Sequence, residues 1–118
     1  MTNSLQINVE KDKDAALMVV RGRIDINSSP DLRDRLLALL QGQPPPITIA
    51  IDLAAVAYMD TSGIATLVEA LKFARISNVR MHLRGIQGRL LHLLESTGIG
   101  ALFDAGESAN LSSAAEVS

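Results

Sequence analysis

The sequence predicts one α/β domain built on a mixed β-sheet. Three observations lead there. Apolar residues switch repeatedly between the two-residue period of strands and the 3.6-residue period of helices. Cap and turn residues punctuate each change, which gives the order β-β-α-β-α-β-α-β. The 118 residues are enough for one core and too few for two.

Leu5, Ile7 and Val9 alternate with Gln6, Asn8 and Glu10, the period of a half-buried strand. After the charged turn Lys11–Asp14, a branched apolar stretch runs from Ala15 to Val20 and ends at Arg21-Gly22. So short a turn favours an antiparallel pair, with a longer-range arrangement still open. Ser29, Pro30 and Asp31 mark a helix start: Ser29 as N-cap, Pro30 at the first helical position, Asp31 at the positive end. Leu32, Leu36, Leu39 and Leu40 form its inner stripe, and Gly42 with Pro44-Pro45-Pro46 ends it in a stiff linker.

Ile47–Leu53 (ITIAIDL) reads as a central strand covered on both faces, followed by a loop over Ala54–Met59. Ile64, Leu67, Val68 and Leu71 mark a second helix with Glu69, Lys72 and Arg75 on its wet side, ended by Ser77-Asn78. Val79–Leu83 is a short strand. Ile86, Leu90, Leu93 and Leu94 give a third helix closed at Thr97-Gly98. Ile99–Phe103 supplies a last strand, and Ser108–Ser118 a weak helix or frayed tail.

Composition excludes several functions. A net charge of −2 and only three aromatic residues, Tyr58, Phe73 and Phe103, leave no footprint for nucleic acid. The absence of cysteine removes disulfides, thiol catalysis and thiolate metal sites. His82 and His92 lie in no metal-ligand pattern, so no metal is expected. No apolar run reaches membrane-span length and the start, MTNSLQINVE, has no signal-type apolar segment, so a cytoplasmic protein without membrane insertion is expected. No Ser/His/acid spacing or G-x-S-x-G elbow is present, so the chain is not read as an enzyme. His92 could meet Asp60 or Thr61 only through the fold; a solvent-facing position is the simpler expectation.

The most informative stretch is YMDTSGIATL, Tyr58–Leu67. Asp60 suits the N-cap of a helix that starts at Thr61. Thr61 and Ser62 then stand where free N–H groups and the helix dipole converge, a place suited to an anion. A phosphate on Thr61 would bring about −1.5 to −2 charges to that end and repel Asp60 and any acidic or apolar partner. Gly63 costs about 1 kcal/mol relative to Ala in a helix, which implies close approach of a neighbouring strand, a loop or a partner.

YMDTSGI, following Ile51-Asp52-Leu53, resembles the signature of the STAS domain of sulfate transporters and anti-sigma factor antagonists, where bacterial regulatory members carry Asp-Ser-Ser-Gly or Asp-Ser/Thr-x-Gly. Gly22-Arg23-Ile24-Asp25 resembles the Gly-x-Leu-Asp that ends the second strand, and Gly98-Ile99 with Phe103 resembles the closing segment. The match runs from about Leu5 to Phe103, within a single STAS domain whose core spans about 5–105. The resemblance implies a STAS-like mixed β-sheet with helices packed mainly on one face.

It further implies an anti-sigma factor antagonist, a binding switch that captures an anti-sigma factor and frees a sigma factor. That partner would be a serine/threonine kinase of the GHKL type, which itself binds the ATP and magnesium; no cofactor is expected on this chain. The phosphoacceptor would be Thr61, with Ser62 the lesser candidate. Thr in place of the commoner Ser is a departure whose extra methyl bears on transfer rate or partner choice. Asp25, Asp60, Thr61, Ser62, Gly63 and Ile64, with the Gly22–Asn27 segment, would form the partner surface. Two alternatives stay open from the same resemblance: a cytosolic accessory subunit of a lipid-transporting ABC system, or a stressosome-type scaffold subunit. Partner identity, oligomeric state and order in the tail are not legible in the sequence.

Overall fold

A computed structural model describes residues 5–86 and 88–98. The expected strand at Ile99–Phe103 and the tail at Ser108–Ser118 lie outside the described residues. The elements are β1 (Gln6–Asp12), β2 (Ala15–Ile24), α1 (Ser29–Leu40), β3 (Thr48–Met59), α2 (Thr61–Ile76), β4 (Arg80–Arg84) and α3 (Gly88–Thr97). The strands lie in the order β1-β2-β3-β4. β1 and β2 form the antiparallel hairpin, paired as far as Asp12↔Ala15, so that the turn is only Lys13-Asp14. β2 and β4 both run parallel to β3. The sheet is therefore mixed, as the element order predicts.

One face of the sheet carries the core. Ala16, Met18 and Val20 of β2, Ile49, Ile51 and Leu53 of β3, and Met81 and Leu83 of β4 are all buried. Successive strand residues point to opposite faces, so these alternate positions share one side. Leu32, Leu36, Leu39 and Leu40 of α1 and Ile64, Leu67, Ala70, Leu71 and Ala74 of α2 close over them. α3 adds Leu94 to the same cluster. Across the outer surface Arg33 of α1 holds Glu69 of α2, with Arg33 Nη2 2.9 Å from Glu69 Oε2. Among the described residues, no helix is long and apolar enough to cross a membrane.

Three local expectations need correction. The stretch Ala54–Met59 is not a loop: β3 continues through it, because β2 also continues, to Ile24, and offers a parallel partner. Register shifts between Val19/Arg21 and Gly22/Arg23 each fit one extra β3 residue into the pairing, which re-aims the strand end. Second, the N-cap of α1 is Ser28, and Ser29 is the first helical residue. The Ser28 hydroxyl donates back to the Arg23 carbonyl at 2.7 Å and accepts from Asp25 N–H at 3.0 Å, so it makes no cap bond to α1. Third, coverage of β3 is uneven. Ala50 is buried on the face opposite the helices, but Thr48 and Asp52 beside it are only half-buried.

Candidate functional site

The parallel pairing Arg23↔Tyr58 and Ile24↔Met59 brings the ends of β2 and β3 together. The next residue of β3, Asp60, donates its N–H to the Ile24 carbonyl at 3.1 Å and then turns into α2. Its backbone is extended (φ −105°, ψ −171°), the N-cap conformation expected from the sequence. Oδ1 of Asp60 accepts from Ser62 N–H at 2.9 Å, from Gly63 N–H at 3.3 Å and from the Ser62 hydroxyl at 2.5 Å. Its carbonyl takes Gly63 N–H and Ile64 N–H at 3.1 and 3.2 Å.

These bonds decide what the helix end can do. The sequence suggests a terminus open to an anion, yet Asp60 already occupies the N–H groups of Ser62, Gly63 and Ile64. A phosphate would have to displace that carboxylate to reach the Ser62 and Gly63 N–H groups. The Asp60 carboxyl is held below its ordinary 3.8, first by the Ser62 hydroxyl and then by the Gly63 and Ser62 N–H groups, against an opposing contribution from partial burial.

The two hydroxyls therefore differ. Ser62 is half-buried and its hydroxyl is committed to Asp60. Thr61 is exposed, and among the described residues no side chain or carbonyl holds its hydroxyl. Gly63 and Ile64, expected at the partner surface, are buried, with Ile64 only 4% exposed. The open question about Gly63 is answered by its own strands. A Cβ there would lie 2.6 Å from Cγ2 of Ile24 and 2.7 Å from Cγ of Met59. Gly63 and Ile64 thus seat the cap against the sheet, and the side chains left outward are those of Asp60, Thr61 and Ser62.

Asp25 arrives at the same end, one residue beyond the carbonyl that holds Asp60. Its Oδ1 accepts from Asn27 N–H at 3.0 Å and Ser28 N–H at 3.1 Å, which closes a tight turn. Its Oδ2 lies 3.8 Å from Arg23 Nε. The Arg23 guanidinium in turn stands over the Tyr58 ring, 4.3 Å from its centroid. Ser28 and Tyr58 are parts of this end to which the sequence reading gave no role. Ser28 joins it through local turn bonds to Asp25 and Arg23, whereas parallel strand pairing sets Tyr58 beside Arg23 and leaves no local signal. His92 is exposed on α3. Among the described residues, only Ser62 and Gly63 bond the Asp60 carboxylate.

A family model described as STAS domain matches residues 6–114. An anti-sigma-B factor antagonist of Listeria monocytogenes is 32% identical over 104 residues, covering 88% of this chain and 89% of that protein. The anti-sigma-B factor antagonist of Bacillus subtilis is 26% identical over 101 residues, covering 86% and 90%. Among solved structures, an anti-sigma factor antagonist from Mycobacterium paratuberculosis superposes with a TM-score of 0.70 at 20% identity, covering 97% of both chains. Unphosphorylated SpoIIAA also gives 0.70, at 17% identity, with 82% and 84% covered. At these identities the structural likenesses establish the fold.

Two outcomes are expected. Gly63→Ala should destabilise the domain, since overpacking a core contact costs about 1–3 kcal/mol and helix propensity returns at most about 1 kcal/mol. The urea midpoint should fall with the slope unchanged; a rise would show that Ile24 and Met59 yield freely. Ser62→Ala should raise the Asp60 carboxyl towards its ordinary value, read by carbon-detected NMR titration. A group held low in the folded state lends stability above its unfolded value and loses it as pH falls through the folded one. The Asp60 contribution is therefore complete above 3.8 and disappears in more acid solution. An unmoved Asp60 in Ser62→Ala would assign the depression to the backbone donors alone.

Proposed function

The chain belongs to the STAS domain family, and on that premise we propose that it is an anti-sigma factor antagonist switched by phosphorylation of Thr61. The observation that carries the switch is the contrast between the hydroxyls: Thr61 is exposed and unheld, whereas Ser62 is tied to Asp60. A kinase can therefore take up the Thr61 hydroxyl without first breaking the cap. The relatives named as anti-sigma-B factor antagonists support the role over nearly their whole length.

The unmodified protein binds an anti-sigma factor through the surface that carries Asp25, Asp60, Thr61 and Ser62, and a sigma factor is thereby freed. That partner is also the kinase, of the GHKL type, and it supplies the ATP and magnesium. Transfer forms an ester bond from the Thr61 oxygen to the γ-phosphorus; the bond to ADP breaks, and the hydroxyl proton leaves to a base on the kinase. The domain itself acts by binding and performs no catalysis, in the cytoplasm.

The modified hydroxyl changes the interface and leaves the fold alone. The Ser62 and Gly63 N–H groups are already held by Asp60, so the new group, with about −1.5 to −2 charges, stays on the surface beside Asp60. Like charges and the loss of a dry contact both weaken binding, and a few kcal/mol of difference between the two forms suffices for a switch.

Incubation with the purified anti-sigma factor kinase of the same genome, ATP and magnesium should add one phosphate, mapped to Thr61 by intact mass and fragmentation. Thr61→Ala should abolish the addition and Ser62→Ala should retain it. Modification of Ser62 in the wild type, or no modification together with stable capture of an ABC ATPase, would overturn the assignment.

A further inference from the structure

The turn between β2 and α1 contains one residue that the turn itself does not explain. In Asp25-Ile26-Asn27-Ser28, Asp25 accepts two backbone N–H groups, Asn27 supplies one of them, and Ser28 bridges Asp25 N–H to the Arg23 carbonyl. Ile26 takes part in none of these bonds and is 73% exposed. A branched aliphatic residue contributes nothing to such a turn, where polar residues and glycine serve better. It is held at the tip of a segment tied at both ends, so little conformational freedom is left to lose on binding.

Tyr58 is the second large apolar side chain exposed at this end of the sheet, at 37%. Arg23 links the two: its guanidinium lies over the Tyr58 ring and beside Asp25, the residue before Ile26. One face of the ring is thus covered by the guanidinium. Around this apolar pair stand the carboxylates of Asp25 and Asp60, the latter held ionised through its cap bonds. With Arg23 paired to Asp25, the edge of this apolar pair keeps one net negative charge, which matches a protein surface with an apolar socket and basic side chains at its rim.

We propose that Ile26 and Tyr58 are the apolar anchors by which this domain selects its partner, Ile26 entering a socket on the anti-sigma factor and Tyr58 packing at its edge. The proposal rests on the antagonist reading and adds to it. The carboxylates and Thr61 set whether binding is allowed, and the two anchors set which partner is gripped. Rigid, well-placed apolar side chains usually carry a disproportionate share of binding energy.

The test measures binding of the purified anti-sigma factor to the wild type, Ile26→Ser, Ile26→Val and Tyr58→Ala by titration calorimetry, with sedimentation of the free domain. Ile26 is exposed, so Ile26→Ser should keep its melting temperature while its affinity falls about tenfold or more. Ile26→Val should retain most of the affinity. The chain has one tyrosine, so 3-fluorotyrosine gives a single fluorine signal at Tyr58, expected to shift on partner binding. Wild-type affinity in Ile26→Ser with a Thr61-phosphate effect intact would overturn the anchors and leave the switch standing. A self-associated wild type that Ile26→Ser dissociates would assign the residue to a second copy of this chain and overturn the proposal. No binding by the wild type would overturn the antagonist reading and the anchors with it.

Discussion

Asp60, through its carboxylate and its backbone, joins the elements that meet at the candidate site of this domain. Through Oδ1 it closes the first turn of α2 and holds the Ser62 hydroxyl, and through its N–H it fastens that turn to the last residue of β2. One residue thus joins β2, β3 and α2. Gly63 makes the junction possible, because a side chain there would run into Ile24 and Met59. The arrangement leaves Thr61 outside the network while fixing the backbone on both sides of it. An exposed hydroxyl on a rigid frame is what a modifying enzyme and a reversible partner both require.

Under the proposed switch, the same bonds would let modification change binding and spare the fold. The helix core beneath the cap, Ile64 and Leu67 with Ile24 and Met59, is buried. On the proposed reading, a charge added at Thr61 stays outside that packing, and Asp60 already holds the Ser62 and Gly63 N–H groups. The effect therefore falls on whatever is docked against the surface, through like-charge repulsion and a poorer fit.

Much of this was legible in the sequence because it is local. The leucine stripe of α1, the N-cap at Asp60 and the helical start at Thr61 depend on residues within a turn of one another. The long β3 was not legible: Ala54, Ala55 and Ala57 are small and exposed, and only the parallel partner in β2 makes that stretch a strand. The cap of α1 slipped by one residue because two serines adjoin, and only the backward bond of Ser28 to Arg23 tells them apart. Ser62 and Thr61 look equivalent as letters; their difference is a matter of which hydroxyl the Asp60 oxygen reaches. Arg23 and Tyr58 meet through strand pairing, so neither residue alone signals the contact.

The central claim is that charge at Thr61 acts on the interface and not on the fold. The most direct measurement compares the unmodified and Thr61-phosphorylated proteins, each titrated against the same anti-sigma factor and each melted alone. The account predicts binding weaker by about a hundredfold or more, consistent with like charges set against a buried contact. It also predicts melting temperatures within about two degrees of each other, as for a surface change outside the core. Equal affinity in the two forms, or a melting temperature that collapses on phosphorylation, would contradict it.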